Sequence, residues 1–486
     1  MFTSSRSSLL LDYFRIPYRV SDAVGVPAGW VCLRPDRAAG SDGPALYWPT
    51  PAGRGAAAYR LDDVPIFGHV APEGQSLALR AQLGDRWWPI GAVQSERGRP
   101  AASIWREDGG SIVLPFDPDE IMRMYWSEGY KELGRPSLAG RGKRRAVKSY
   151  YRVRPVLPRS TQISMRRAFS RVQARTAFPR WPVEGALHDL YDRLLGLLAS
   201  VAGEPVPTIA PWPAGRSWAL VLTHDVETET GYESIRILRD AEVEAGCRSS
   251  WNLVPKRYEV ADATVADLRA RGFEVGVHGL YHDGRDLESR ETLEERLPEI
   301  RQWADRWRAT GFRSPATHRR WEWMPLLGFD HDSSYPDTDP FEPQSGGCCS
   351  WLPFMNGDLV ELPITLPQDH TLFVILRRDE SAWLEKADVI RGRGGMALLI
   401  THPDYMIEPE RVEAYRRFLA ETTRAPGVWC ALPSEVSAWW RRRAASRIER
   451  EGDRWRVAGP AAGEAAVALV DAVAPASAAN AGRPES

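Results

Sequence analysis

Cysteine is scarce in this 486-residue chain. Cys32, Cys247, Cys348, Cys349 and Cys430 are odd in number, scattered, and mostly inside predicted elements. Such a set is not a secreted disulfide framework and suits a reducing compartment. The adjacent Cys348-Cys349 follow Gly346-Gly347 and lack zinc-knuckle spacing, so a structural role is expected for them. Net charge is also nearly absent: 63 Lys plus Arg offset 64 Asp plus Glu, a balance of -1 that argues against a dedicated nucleic-acid binder. No window approaches the ~20 apolar residues of a membrane span. The early run Leu9-Leu-Leu is broken by Asp12 before any small-residue cleavage site, so no signal peptide is expected. These absences predict a cytoplasmic protein.

The rest of the composition, 43% apolar and 26% charged, is that of an ordinary globular protein. At roughly 100 to 200 residues per domain the length predicts two or three units. Residues 1–130 read as a smaller mixed α/β unit with strand-like runs at Trp30-Val-Cys-Leu, Ala45-Leu-Tyr-Trp and Ser111-Ile-Val-Leu-Pro, and a short helix over Asp117 to Tyr125. No chemical constellation appears there. Residues 131–205 form a connector dense in arginine between 135 and 180, as in Arg141-Gly-Lys-Arg-Arg145 and Arg166-Arg167. It is either a solvated link or a surface that meets an anionic partner such as a membrane face. Leu187, Leu190, Tyr191, Leu194, Leu195 and Leu198 then fall at helical spacing, so an amphipathic helix is expected over 184–200.

From 206 to 445, apolar runs alternate with helical patterns. Strands are predicted at 218–223, 250–254, 274–278, 311–314, 359–364, 396–401 and 428–432, with helices over 232–245, 265–271, 292–309 and 409–421. This is the signature of parallel βα units. Residues 446–486 read as a short extension and an Ala-rich, partly disordered tail from Ala461.

The polar motifs sit at or just past the C-terminal ends of these strands, where barrel enzymes place their chemistry. His278 and His282, four residues apart, can turn two imidazoles toward one divalent ion. Leu222-Thr-His-Asp225-Val-Glu227 ends an apolar run in two carboxylates spaced i and i+2. Arg313-Ser-Pro315 and the late run ending Thr401-His402-Pro add a guanidinium and a further imidazole. That is a parts list for metal-assisted hydrolysis.

Taken in order, Asp-x-Glu, His-x-x-x-His, Arg-x-Pro and a strand ending Thr-His resemble the polysaccharide deacetylases, the NodB-homology or carbohydrate esterase family 4 enzymes. The resemblance covers residues 217 to 440. The first motif, Thr-His-Asp-Val-Glu, with Asp339-Pro-Phe-Glu-Pro-Gln344 and His402-Pro-Asp-Tyr405, looks like a subgroup associated with bacterial surface polysaccharides. The resemblance implies a distorted, incomplete (β/α) barrel and hydrolysis of acetyl groups on N-acetylated sugars of a polysaccharide or its lipid-linked precursor. It further implies Asp225 as base, Arg313 as its brace and His402 as general acid. Glu227, His278 and His282 are the implied metal ligands, for zinc first, with cobalt, manganese or nickel as alternatives. A backbone N–H at Ala316 would hold the oxyanion.

Departures are visible too. Position 226 is Val where the family commonly has adjacent aspartates, so the metal carboxylate must come from elsewhere; Glu227, one methylene longer than Asp, matches the related Asp-Val-Asp form in which the second acid binds the metal. An aromatic residue after the Arg-x-Pro proline is replaced by Ala316. Trp321 and Trp323 could stack on sugar, His224 is expected to pack behind the site, and His318, His331 and Asp337 are either solvated loop or substrate contacts. Glu361 and Asp369 are expected to be structural. Two other classes stay open: a hydrolase of another non-peptide C–N bond, and an inactive carbohydrate-binding scaffold.

Overall fold

The computed structural model describes residues 1–22, 26–36, 43–51, 55–84, 86–133, 159–174 and 176–472. Residues 2–113 contribute a nine-stranded mixed sheet whose edges are Tyr18–Val20 and Val64–Gly68. The predicted runs appear as Trp30–Pro35, Leu46–Pro49 and Ile112–Val113. The short helix spans Pro118–Trp126, where the Asp117 carboxylate accepts from the Asp119 N–H and Pro118 occupies the first turn. Ala186–Ala202 is helical and buries the predicted leucine stripe.

The second sheet carries the motifs. Its strands are β1 (Trp218–Val226), β2 (Ser250–Leu253), β3 (Glu274–Val277), β4 (Gly311–Phe312), β5 (His331–Asp332), β6 (Phe354–Asn356), β7 (Leu359–Glu361), β8 (Met396–Thr401) and β9 (Val428–Ala431). The order is β6-β7-β5-β4-β3-β2-β1-β8, with β9 paired to the start of β1. All pairings are parallel except that of β6 with β7. Every residue of β1 is buried, which is why it reads as a continuous apolar run rather than an alternating one. The sheet curls until the chain after β7 meets β8: Leu366 N–H donates to the Leu398 carbonyl (3.0 Å) and Leu398 N–H to Thr365 Oγ1 (2.8 Å). The result is a distorted, incompletely closed (β/α) barrel.

Three expectations change. His331–Asp332 is a strand, not loop; two residues are too few to show a period, and they are held by parallel neighbours on both sides. The segment from Ala461 is ordered as far as Val470, since Val467–Val470 pairs antiparallel with Val206–Ile209. Within the arginine-rich connector, Arg166 and Arg167 belong to a helix, Arg159–Gln173, and turn toward the protein. Arg167 donates to the Val374 carbonyl (2.8 Å), and Arg166 lies 3.8 Å from the Glu342 carboxylate. Arg141 to Arg145 and the residues after 472 fall outside the described residues. Among the described residues no helix is long and apolar enough to cross a membrane.

The two sheets share one hydrophobic core. Trp126, at the end of the short N-terminal helix, stacks on Phe354 of β6 with ring centroids 5.0 Å apart and planes 4° from parallel.

Candidate active site

Asp225, Glu227, His278, Arg313 and His402 leave their strands at the same end of the barrel. Asp225 is the second-last residue of β1 and Glu227 follows it. His278, Arg313 and His402 come directly after β3, β4 and β8. Parallel register sets Asp225 beside Asn252 of β2 and brings Val277 beside Phe312, so the residues that follow, His278 and Arg313, are neighbours.

Three donors converge. The nearest ligand atoms of Glu227, His278 and His282 lie within 4.8 Å of one another. Glu227 Oε1 is 3.0 Å from His282 Nε2, so the extra methylene of glutamate is accommodated. His278 Nδ1–H donates to the Arg313 carbonyl (3.0 Å), which leaves its Nε2 as the lone-pair nitrogen; that Nε2 is buried and has no hydrogen-bond partner among the described residues. Burial pushes the His278 pKa down to about 4, although Asp225 opposes this, so the ring is neutral near pH 7. A buried imidazole nitrogen without a partner, facing a second imidazole and a carboxylate, fits a divalent cation.

The Asp225 carboxylate is held on one side. Its Oδ1 accepts from Arg313 Nη1 (3.0 Å) and Asn252 Nδ2 (2.8 Å), while Oδ2 lies 3.8 Å from His278 Nε2. Burial would raise its pKa, but the Arg313 guanidinium and the imidazoles of His278 and His402 outweigh it and hold the carboxyl down at about 2. Arg313, itself 0% exposed, is fixed by Thr223 Oγ1 (2.8 Å), the Ser333 carbonyl (2.9 Å) and Ser333 Oγ (2.7 Å). Arg313 thus fixes Asp225 in place, and its charge keeps the carboxylate ionised.

Across the cluster, His402 Nε2 is 3.7 Å from Glu227 Oε1. Its Nδ1 donates to Asp369 Oδ1 (2.6 Å), and its backbone N–H to Asp369 Oδ2 (2.7 Å). Burial lowers the His402 pKa, but the fully buried Asp369 carboxylate raises it more, up to about 10. Asp369 was read as structural from the sequence. It is instead the group that orients this imidazole, and its distance along the chain from His402 left no local signal. Asn252 was also missed, and its signal was faint: one amide inside a buried strand.

Backbone strain gathers here. His282, Ala316 and Thr317 have φ of 56°, 53° and 50°, a left-handed conformation unfavourable for residues with a Cβ, of the kind that clusters at functional sites. Gly279 (φ 65°) lets the histidine loop lie against Pro315; a Cβ there would stand 2.6 Å from Pro315 Cγ.

His224 stays behind the cluster, with Nδ1 2.7 Å from Thr401 Oγ1, Nε2 2.6 Å from Glu242 Oε1, and its ring stacked on Trp251. Trp321 and Trp323 are not brought into the cluster. Trp321 stacks on Phe354 and meets Tyr335 edge-on, and Trp323 carries the Arg320 guanidinium over its ring. His331 pairs with Glu274 (3.3 Å) at the start of β3, and Asp337 forms a buried ion pair with Lys386 (2.7 Å), so neither is a solvated loop residue or a substrate contact. His318 is half-buried, near Gly284 of the His282 loop.

No protein-family model matches the sequence, and no curated protein matches it. Solved structures do align with about half of it. A protein described as a polysaccharide deacetylase, from Mycobacterium smegmatis, is 20% identical, with 50% of this chain and 98% of that one covered and a TM-score of 0.42. An allantoinase, Puue, is 16% identical over 50% of this chain and 96% of its own, with a TM-score of 0.40. The peptidoglycan deacetylase PdaC from Bacillus subtilis is 15% identical over 47% of this chain and 94% of its own, with a TM-score of 0.31.

Proposed function

We propose that this chain is a divalent-metal hydrolase that removes acetyl groups from N-acetylated sugars of a bacterial polysaccharide or its precursor. One observation carries the reading. The Glu227, His278 and His282 donors converge between two buried pairs, Asp225–Arg313 and His402–Asp369, that suit a base on one side and an acid on the other. Two imidazoles and a carboxylate suit zinc, with cobalt, manganese or nickel as alternatives. A divalent ion held there supplies Lewis acidity to the acyl oxygen and to the attacking water.

The chain's own groups divide the remaining work. Asp225 uses Oδ1 to hold Arg313 and Asn252, which leaves Oδ2 to orient the attacking water and accept its proton. The Ala316 N–H, in the strained turn beside Gly279, would donate to the acyl oxygen as charge develops on it. His402, with Nδ1 committed to Asp369, presents the Nε2 proton to the departing amine. Asp369 holds that tautomer and stabilises the imidazolium.

Acetate release is the test. The zinc-loaded protein is incubated with acetylated glycans, including nucleotide-linked and lipid-linked saccharides, and acetate and free amine are quantified. Equal amounts of the two are expected. Opening of cyclic ureides or imides without acetate release would move the assignment to another C–N bond. Glycan binding indifferent to chelator and to Asp225→Asn, with no hydrolysis, would leave a binding scaffold.

A further inference from the structure

The N-terminal unit reaches the strained turn through Arg319. Glu128, 5% exposed and itself left-handed (φ 58°), receives two bonds from the Arg319 guanidinium, from Nε and from Nη2, both 2.6 Å. A bidentate, charge-assisted pair of this kind fixes orientation as well as position. Lys131 also pairs with Glu128. The remaining Arg319 nitrogen, Nη1, donates to the Thr317 carbonyl (2.8 Å), inside the left-handed turn. Arg319 and Gln344 are joined by reciprocal bonds, Arg319 N–H to Gln344 Oε1 and Gln344 Nε2 to the Arg319 carbonyl, each 3.0 Å. Tyr130 grips the next stretch, with its hydroxyl 2.7 Å from the Gly347 carbonyl and accepting from the Gly347 N–H at 3.2 Å.

Between Arg313 and Arg319 the chain is therefore pinned at both ends by buried guanidiniums. The first is anchored on Asp225 and the second on Glu128. An unconstrained Ala-Thr pair relaxes out of the left-handed region, where the Cβ crowds the following carbonyl oxygen. We propose that the Glu128–Arg319 clasp is the task of the N-terminal unit at this site: it holds the Ala316–Thr317 turn in its strained form, so that the Ala316 N–H is aimed at the acyl oxygen. Glu128 and Arg319 are positioning residues that act through the turn. The aim of that N–H rests on the proposed deacetylase reading; the clasp itself does not.

The test uses full-length Glu128→Gln and, since a buried change can prevent folding, also Arg319→Lys, which keeps the charge but loses the fork. Hydrogen–deuterium exchange is followed on peptides covering 313–320 and 218–226. The zinc-loaded proteins are assayed on 4-nitrophenyl acetate, and metal per chain is measured. The clasp predicts faster exchange by about tenfold in 313–320 alone, unchanged metal content, and a kcat lower by about ten- to a hundredfold at nearly constant KM. Unchanged exchange in 313–320, or equal acceleration in 218–226, overturns it. A wild type inactive on this ester and on every acetylated glycan would overturn the deacetylase reading and the catalytic use of the turn. The exchange arm still decides the clasp in that case.

Discussion

Replacing Asp369 with asparagine removes a charge and almost no volume. In the wild type Oδ1 accepts from His402 Nδ1 (2.6 Å) and the His370 N–H (2.7 Å), and Oδ2 accepts from the His402 N–H (2.7 Å), with 0% of the residue exposed. Asparagine offers one carbonyl oxygen and one amide where three donors converge, so in either orientation a donor faces a donor, and the charge that supports the imidazolium is gone. General acid catalysis is worth about a hundredfold to ten-thousandfold, or about 3 to 5 kcal/mol of barrier. The loss depends on the leaving group, since an amine must be protonated to depart and 4-nitrophenolate need not be. Asp369→Asn is therefore expected to lower kcat on an N-acetylated sugar by about a hundredfold or more, and on 4-nitrophenyl acetate by less than about fivefold. Steady-state assays of both substrates with the same zinc-loaded preparation give the comparison. Equal losses on the two would refute the acid role of His402 and leave Asp369 as a structural anchor.

Further outcomes follow from the same geometry. A Cβ on Gly276 would stand 2.2 Å from Asn252 Oδ1, so Gly276→Ala should push the amide off Asp225. We expect about tenfold lower kcat and about 1–3 kcal/mol lost in urea unfolding, with unchanged metal content; an undisturbed kcat would contradict the bracing role of Asn252. Asp332 and Glu361 are register partners on β5 and β7; burial raises both pKa values and the Asp332 carboxylate raises that of Glu361 further, well above the usual range, so Glu361 keeps its proton. A raised folded pKa gives stability that is complete below the unfolded value and lost as pH rises through the folded one. Melting temperature should fall as pH rises above the ordinary glutamic acid value of 4.5 in the wild type and fall less in Glu361→Gln, and equal slopes would rule the pair out as the source.

Much of the barrel was legible because buried parallel strands write themselves as apolar runs: β1, β3, β8 and β9 were placed to within a few residues. Asp225, Glu227, His278, His282, Arg313 and His402 stood out because each closes such a run. Asn252 and Asp369 did not, since their contacts depend on register and on a return of the chain from far along the sequence. The tryptophans show the opposite failure. Trp321 and Trp323 lay close to a site motif in sequence, yet their rings serve the packing of β6 and an arginine side chain. The clasp between Glu128 and Arg319 joins segments with no shared pattern, so only the folded chain reveals that the N-terminal unit grips Arg319, two residues after the strained turn.

The most direct measurement is the metal content of the purified full-length protein by elemental analysis, beside the His278→Ala/His282→Ala double variant. About one divalent ion per chain, lost in the double variant while its circular dichroism is kept, is the predicted result. No bound metal in the wild type after reloading with zinc, cobalt or manganese would contradict the account, and would leave the unpartnered His278 Nε2 unexplained.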